Sequence, residues 1–99
     1  MFSTVKEALK DIKAGKIVIV VDDASRENEG DFVMAAECVT PEAINFMSIE
    51  GRGLICTPVD STTAKKLDLQ PMVENNNCPY GTAFTVTIDA AEGISTGKS

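Results

Sequence analysis

A chain of 99 residues, 43% of them apolar and 24% charged, has the composition of one globular domain able to build a single core. Its net charge of −6, with no histidine, presents none of the clustered Lys and Arg that bind a phosphate backbone, so nucleic acid is excluded as an expected partner. No apolar run approaches the ~20 residues that span a bilayer, and the start Met1-Phe2-Ser3-Thr4-Val5-Lys6-Glu7 lacks the apolar stretch of a secretion signal; the expectation is a cytoplasmic protein with no membrane partner.

Along the chain, Ser3 or Thr4 can cap a first helix. Glu7, three residues after Thr4, completes a capping-box pattern, Val5, Ala8, Leu9 and Ile12 fall on one face, and Ala14-Gly15 ends the helix. Residues 17–21, Ile-Val-Ile-Val-Val, are continuous and β-branched, which predicts a strand buried on both faces rather than one side of an exposed hairpin. Residues 31–39 are apolar enough for a second strand, although their alanines and methionine leave a helical reading open. Thr40-Pro41-Glu42 supplies a cap, a proline at the first helical position and an early acid, so a helix should run to about Glu50 and stop at Gly51.

Residues 53–57 read as a short strand, and Asp60 or Ser61 starts a short helix through Ala64 and Leu67. Residues 75–81, rich in Asn and closed by Gly81, read as a loop. Residues 82–89 alternate with period two, as a half-buried strand does. The predicted class is α/β (α+β), a mixed sheet with helices packed on it, in a single domain over residues 1–99. Cys38, Cys56 and Cys78 have neither zinc-site spacing nor the even count of a disulfide framework, so they are expected as reduced thiols. Cys38 and Cys56 sit among apolar residues as small hydrophobes, and Cys78 lies in the more accessible loop.

The most informative stretch follows the first predicted strand. Asp22-Asp23-Ala24-Ser25-Arg26-Glu27-Asn28-Glu29-Gly30-Asp31 places five carboxylates and one guanidinium at a strand end. The ordinary reading of such a run is a solvated loop. Its chemical reading is a Mg²⁺ site, because that hard cation takes one or two carboxylates, keeps several waters and binds substrate oxygens in its remaining positions. Mg²⁺ chelated by the carbonyl and hydroxyl oxygens of a sugar would stabilise the enediolate formed when a neighbouring proton leaves. Carboxylates crowded in one cleft resist ionising together, so at least one is expected to have a raised pKa and to move protons. Arg26 offers a planar fork for an anionic or hydroxyl-rich substrate and tempers the repulsion.

Two look-alikes fail on physical grounds. Setting Gly30 as the sixth residue of an EF-hand loop puts Ser25 first and Ala36 last, so both anchoring ligands are absent. Gly93-Ile94-Ser95-Thr96-Gly97-Lys98-Ser99 has three residues between its glycines where a phosphate-binding loop needs four, and no helix follows within the sequence.

The order of residues in the acidic run resembles the signature loop of the 3,4-dihydroxy-2-butanone 4-phosphate synthase family of riboflavin biosynthesis. The resemblance continues through Gly51-Arg52-Gly53-Leu54-Ile55-Cys56, Gly81-Thr82-Ala83-Phe84-Thr85 and Ile88-Asp89-Ala90-Ala91-Glu92-Gly93-Ile94-Ser95-Thr96-Gly97. It implies that fold, in a truncated, N-terminal portion, and a homodimer with active sites at the subunit interface. It further implies conversion of D-ribulose 5-phosphate into L-3,4-dihydroxy-2-butanone 4-phosphate and formate with Mg²⁺ or Mn²⁺. By the same resemblance Glu27 is the metal ligand and contacts substrate, as do Arg26 and Asp31. Asp22 and Glu29 match acids of the family's proton transfers, Cys56 matches an active-site cysteine, and Thr85 matches a threonine that reaches substrate from a neighbouring subunit. Strand propensity alone also accounts for the threonines of this segment.

The family's second metal-binding side chain is a histidine, which this chain lacks, and its phosphate-gripping segment is absent too. The expectation is therefore that the 99-residue piece alone has little or no activity and that unpaired strand edges favour self-association. The alternative is a non-catalytic acidic α/β fragment or interaction module with weak metal or sugar-phosphate binding.

Overall fold

The computed structural model describes residues 2–95, which fall in two compact units that divide between Thr57 and Pro58. Residues 96–99, and with them the end of the segment resembling a phosphate loop, lie outside the described residues.

The first unit begins with α1 (Val5–Lys13), as the sequence predicts. The Thr4 hydroxyl accepts the Glu7 N–H at 3.2 Å and the Glu7 carboxylate accepts the Thr4 N–H, so the capping box is complete. Gly15, in the left-handed region at φ +82°, lets the chain leave the helix, a conformation that costs glycine nothing. The chain then enters β1 (Val18–Val21), which pairs antiparallel with β2 (Gly30–Val33) in the register Val18 to Val33, Ile19 to Phe32, Val20 to Asp31 and Val21 to Gly30.

This hairpin overturns the expectation of a strand buried on both faces. Ile19 is 66% exposed and Val20 49%. β-Branched runs favour the extended backbone whether or not anything covers them, so residue type alone does not distinguish a central strand from an uncovered ribbon. The second strand is also shorter than residues 31–39. It stops at Val33, and Ala36–Cys38 forms a 3₁₀ turn, because alanine is a poor strand former and the helical tendency prevails there.

Pro41 opens α2 (Pro41–Phe46), capped by the Thr40 hydroxyl, which accepts the Ala43 N–H at 3.1 Å. The chain continues as one π-helical turn over Met47–Gly51, and Arg52 leaves it with φ +57°. Phe32 of β2 meets Phe46 of α2 with ring centroids 5.4 Å apart. Gly51 allows this contact: a β-carbon there would stand 3.3 Å from Phe32 Cδ2. Residues 53–57, expected as a strand, are irregular, and the described residues of this unit offer them no partner strand.

The second unit holds α3 (Ser61–Lys66), begun where predicted by Asp60, whose carboxylate accepts the Thr63 N–H at 2.7 Å. Residues 75–81 form the expected loop; Asn76 stitches it by accepting the Cys78 N–H and donating to the Thr82 carbonyl. The predicted strand over residues 82–89 is reduced to a single bridge, Pro71 to Thr85, flanked by Met72 N–H to Phe84 O and Val86 N–H to Gln70 O. In this pair the bonds run between the flanking residues, so Pro71 sits where the pairing needs no N–H from it.

The expected single core is not present among the described residues: none is buried. Even the apolar face of α1 is open, with Val5 76% and Leu9 60% exposed. No described helix is long and apolar enough to cross a membrane.

Candidate functional site

The acidic run is the loop of the β1–β2 hairpin. Asp22 follows the last residue of β1, and its N–H donates to the Glu29 carbonyl at 3.3 Å, which continues the ladder one step and sets where the loop departs. The Arg26 N–H donates to the Asp23 carbonyl at 2.9 Å, a β-turn that reverses the chain. Asn28 takes φ +55°, the left-handed conformation that asparagine tolerates better than most residues, and returns the chain to β2.

Two carboxylates shape this loop from within. Asp23 Oδ1 accepts both the Ser25 N–H at 2.8 Å and the Ser25 hydroxyl at 2.6 Å, an Asx turn. Asp22 reaches further: Oδ1 accepts the Glu29 N–H at 2.9 Å, and Oδ2 accepts the Glu27 N–H and Arg26 Nη1, each at 3.0 Å. Arg26 Nη1 also donates to Glu27 Oε1, so one guanidinium nitrogen links two acids.

The electrostatics follow from these bonds. The Glu29 N–H above all, with the Glu27 N–H and Arg26, holds the Asp22 carboxyl below its ordinary value against an opposing push from partial burial. The Ser25 hydroxyl and N–H do the same for Asp23, and the bond to Asp22 is the main cause raising Arg26. Asp22 and Asp23 therefore go against the expectation of a raised carboxyl pKa. Loop amides and Arg26 outweigh mutual repulsion at these two positions and keep both ionised.

The structure thus gathers Asp22, Arg26 and Glu27 by side chain and Glu29 by backbone. Asp31 lies beyond the loop in β2, opposite Val20 and on the same sheet face. Cys56 is exposed near the end of the first unit, with Sγ 3.8 Å from the Leu54 carbonyl, rather than enclosed among apolar neighbours as expected. Cys38 is half-buried, and Cys78 is exposed as expected. Thr85 belongs to the second unit, where it lines an open groove with Met72, Asn76 and Thr82, and its hydroxyl donates to the Val86 carbonyl at 2.8 Å. Sequence reasoning did not single out Ser25 and Asn28, which give the loop its shape; the Asp-x-Ser spacing and an Asn shortly before a strand were the available signals.

Among the described residues no three His, Cys, Asp or Glu side chains gather to hold a metal. The donor chemistry nonetheless suits a Mg²⁺ that keeps most of its waters, since Glu27 offers a hard carboxylate oxygen at an accessible loop position and its partner is the still more exposed Arg26, which can turn to another anion.

The family model for 3,4-dihydroxy-2-butanone 4-phosphate synthase matches residues 6–99. The 3,4-dihydroxy-2-butanone 4-phosphate synthase of Neisseria meningitidis serogroup B is 57% identical over 97 residues, which cover 98% of this chain and 27% of that protein. The riboflavin biosynthesis protein RibBA of Bacillus subtilis is 59% identical over 93% of this chain and 23% of its own length. Among solved structures, a crystal structure of 3,4-dihydroxy-2-butanone 4-phosphate synthase in complex with two magnesium ions superposes with a TM-score of 0.87 at 44% identity, over 92% of this chain and 42% of that one. The two-domain RibBX of A. baumannii, also a 3,4-dihydroxy-2-butanone 4-phosphate synthase, gives a TM-score of 0.83 at 52% identity over 96% of this chain and 28% of its own. The chain spans about a quarter of the length of these curated relatives and carries the fold of the corresponding part of the solved structures.

Proposed function

The chain belongs to the 3,4-dihydroxy-2-butanone 4-phosphate synthase family, and on that premise we propose that it supplies the acidic loop of an enzyme of riboflavin biosynthesis, within one family-type domain that includes residues 1–99. The reaction is conversion of D-ribulose 5-phosphate into L-3,4-dihydroxy-2-butanone 4-phosphate and formate. The observation that supports it best is the pairing of Arg26 with Glu27 on a loop braced by Asp22, which sets a phosphate- or hydroxyl-binding fork beside a hard carboxylate donor.

In this reading Glu27 holds Mg²⁺, and Mn²⁺ suits the same oxygen donor. Bound there, the ion supplies Lewis-acid stabilisation of negative charge on the substrate's oxygens. Arg26 orients the substrate with its fork, passing from Glu27 to the incoming anion. Asp31, the second residue of β2, fixes a substrate hydroxyl by accepting its proton in a hydrogen bond. Glu29, whose backbone is pinned on both sides by Asp22, is the loop acid that moves a proton, and Cys56 enters on the family resemblance alone. Thr85 is left out of the proposal, its proton being committed to the Val86 carbonyl.

A second reading is favoured by one specific observation, that no described residue is buried. It takes the chain by itself as an incomplete, non-catalytic portion whose open apolar surface awaits further polypeptide, including a second subunit of a homodimer. The two readings are compatible: the loop chemistry belongs to the whole enzyme, and the incompleteness to this piece.

The test is Mg²⁺-dependent formate release from ribulose 5-phosphate by a full-length family enzyme carrying this segment, with a chelated control. Glu27→Gln is expected to abolish release while the circular dichroism spectrum stays unchanged. Undiminished release by that variant would remove the metal-ligand assignment.

A further inference from the structure

The Asp22 side chain takes three hydrogen bonds from within its own loop, and these connections point away from proton transfer. Its backbone is fixed by the ladder bond to Glu29, and its carboxylate spends both oxygens on three donors from three different residues of the loop. A carboxylate offers about four lone-pair positions, and three are filled here by groups of the protein itself. The side chain is 24% exposed, against 50% for Arg26 and 37% for Glu27, the two groups it positions. A base must present a free lone pair to the substrate, and it must be able to exchange its proton without collapsing its surroundings. Asp22 meets these needs poorly: one lone pair, on Oδ1 beside the Glu29 N–H, is left over, and protonating Oδ2 would put a proton where the Glu27 N–H and Arg26 already donate.

We propose that Asp22 is a positioning residue, whose carboxylate clamps the Glu27 and Glu29 amides and the Arg26 guanidinium so that the fork of Arg26 and the carboxylate of Glu27 are presented side by side. The inference rests on the reading of Arg26 and Glu27 as the substrate and metal contacts, and it reassigns Asp22 from the proton transfers that its place in the family motif implies. An asparagine at this position keeps an acceptor oxygen for one side of the clamp and loses the other, so the loop loosens without losing a general base.

The experiment uses a full-length family enzyme carrying this segment. For Asp22→Asn we expect KM for ribulose 5-phosphate and the Mg²⁺ concentration for half activation each to rise roughly tenfold or more, the cost typical of groups that orient a ligand rather than contact the reaction. The acidic limb of the kcat profile should stay where it is in the wild type, and amide exchange at Glu27 and Glu29 should quicken. A fall in kcat of several orders of magnitude at unchanged KM, with the acidic limb gone, overturns the proposal. Wild-type enzyme supplies a measurement that does not depend on the variant folding: the Glu27 and Glu29 amides should stay protected when ribulose 5-phosphate is bound. Deprotection of both on binding would mean that Asp22 leaves its amides for the substrate, and would also overturn it. Failure of the underlying reading shows differently, as formate release that survives Glu27→Gln while the two amides remain protected by Asp22.

Discussion

Separated from the remainder of a family enzyme, the chain should fail to hold a compact monomeric fold, and the size of the failure follows from its surface. The accessible area is 8894 Å². A compact monomer of this mass exposes about 5,400 Å², and two separate compact units of 57 and 42 residues would together expose only about 6,500 Å². The excess is therefore at least about 2,400 Å² however the two units are arranged. If a little over half of that area is apolar, as on protein surfaces generally, about 1,400 Å² lacks a covering that would contribute about 35 kcal/mol at ~25 cal/mol per Å². A compact denatured chain reduces the figure to no less than about 20 kcal/mol. The net stability of a domain is about 5–15 kcal/mol, so the missing burial exceeds everything a fold of this size holds in reserve. The assay is sedimentation velocity over a concentration series, with dye binding to exposed apolar surface and an amide NMR spectrum on the same samples. Association or a collapsed, dye-binding ensemble is expected, and co-expression with the remaining residues of a relative should restore dispersed amide resonances. A monodisperse monomer that melts cooperatively and binds no dye would refute the reasoning.

Other expectations are best read in the full-length setting. Thr4→Ala removes the hydroxyl that caps α1 and should cost about 1 kcal/mol in urea denaturation; no change in midpoint would mean that α1 is held by packing alone. Asp60 has a depressed pKa because the Thr63 N–H donates to its carboxylate. Its contribution is thus fully present above the ordinary aspartate value of 3.8 and is lost as pH falls through the lower folded-state value; the Thr63 amide shift should titrate below pH 3.8, and titration above it contradicts the sign. Asn76→Ala unties the loop over residues 75–81 from Thr82 and should speed amide exchange at Cys78, leaving α1 and the β1–β2 hairpin unaffected. Arg26→Lys keeps the charge but removes the planar fork, so KM for ribulose 5-phosphate should rise much more than kcat falls; equal KM values would mean that the fork does not meet the substrate.

What the sequence disclosed about this molecule was its local part. Thr4 with Glu7, Thr40 with Pro41 and Asp60 before Thr63 each wrote a helix start within three or four residues, and each helix begins there because capping is decided by neighbours in the chain. The acidic run was legible in the same way as a loop following a strand. What it could not disclose was partnership. Residues 17–21 have the composition of a doubly buried strand, yet whether Ile19 and Val20 are covered depends on polypeptide that lies elsewhere. Residues 53–57 and 82–89 carry strand character but lack neighbours to complete a ladder, and over 82–89 the bridge of Thr85 to Pro71 stands where alternation promised a strand.

The loop turns on the same distinction. Spacing placed Asp22, Arg26, Glu27 and Glu29 within one turn of chain, and the resemblance gave them roles, but neither separates an acid that reacts from one that braces. Hydrogen-bond direction does separate them. Asp22 faces back into the loop and spends its lone pairs on amides, whereas Arg26 and Glu27 pair with each other at the surface, a bond between exposed groups that is worth little and easily traded for a stronger one. A loop built this way is stiff in its backbone and loose at its tip, which is what a site needs if its binding groups are to exchange an internal partner for a ligand without refolding.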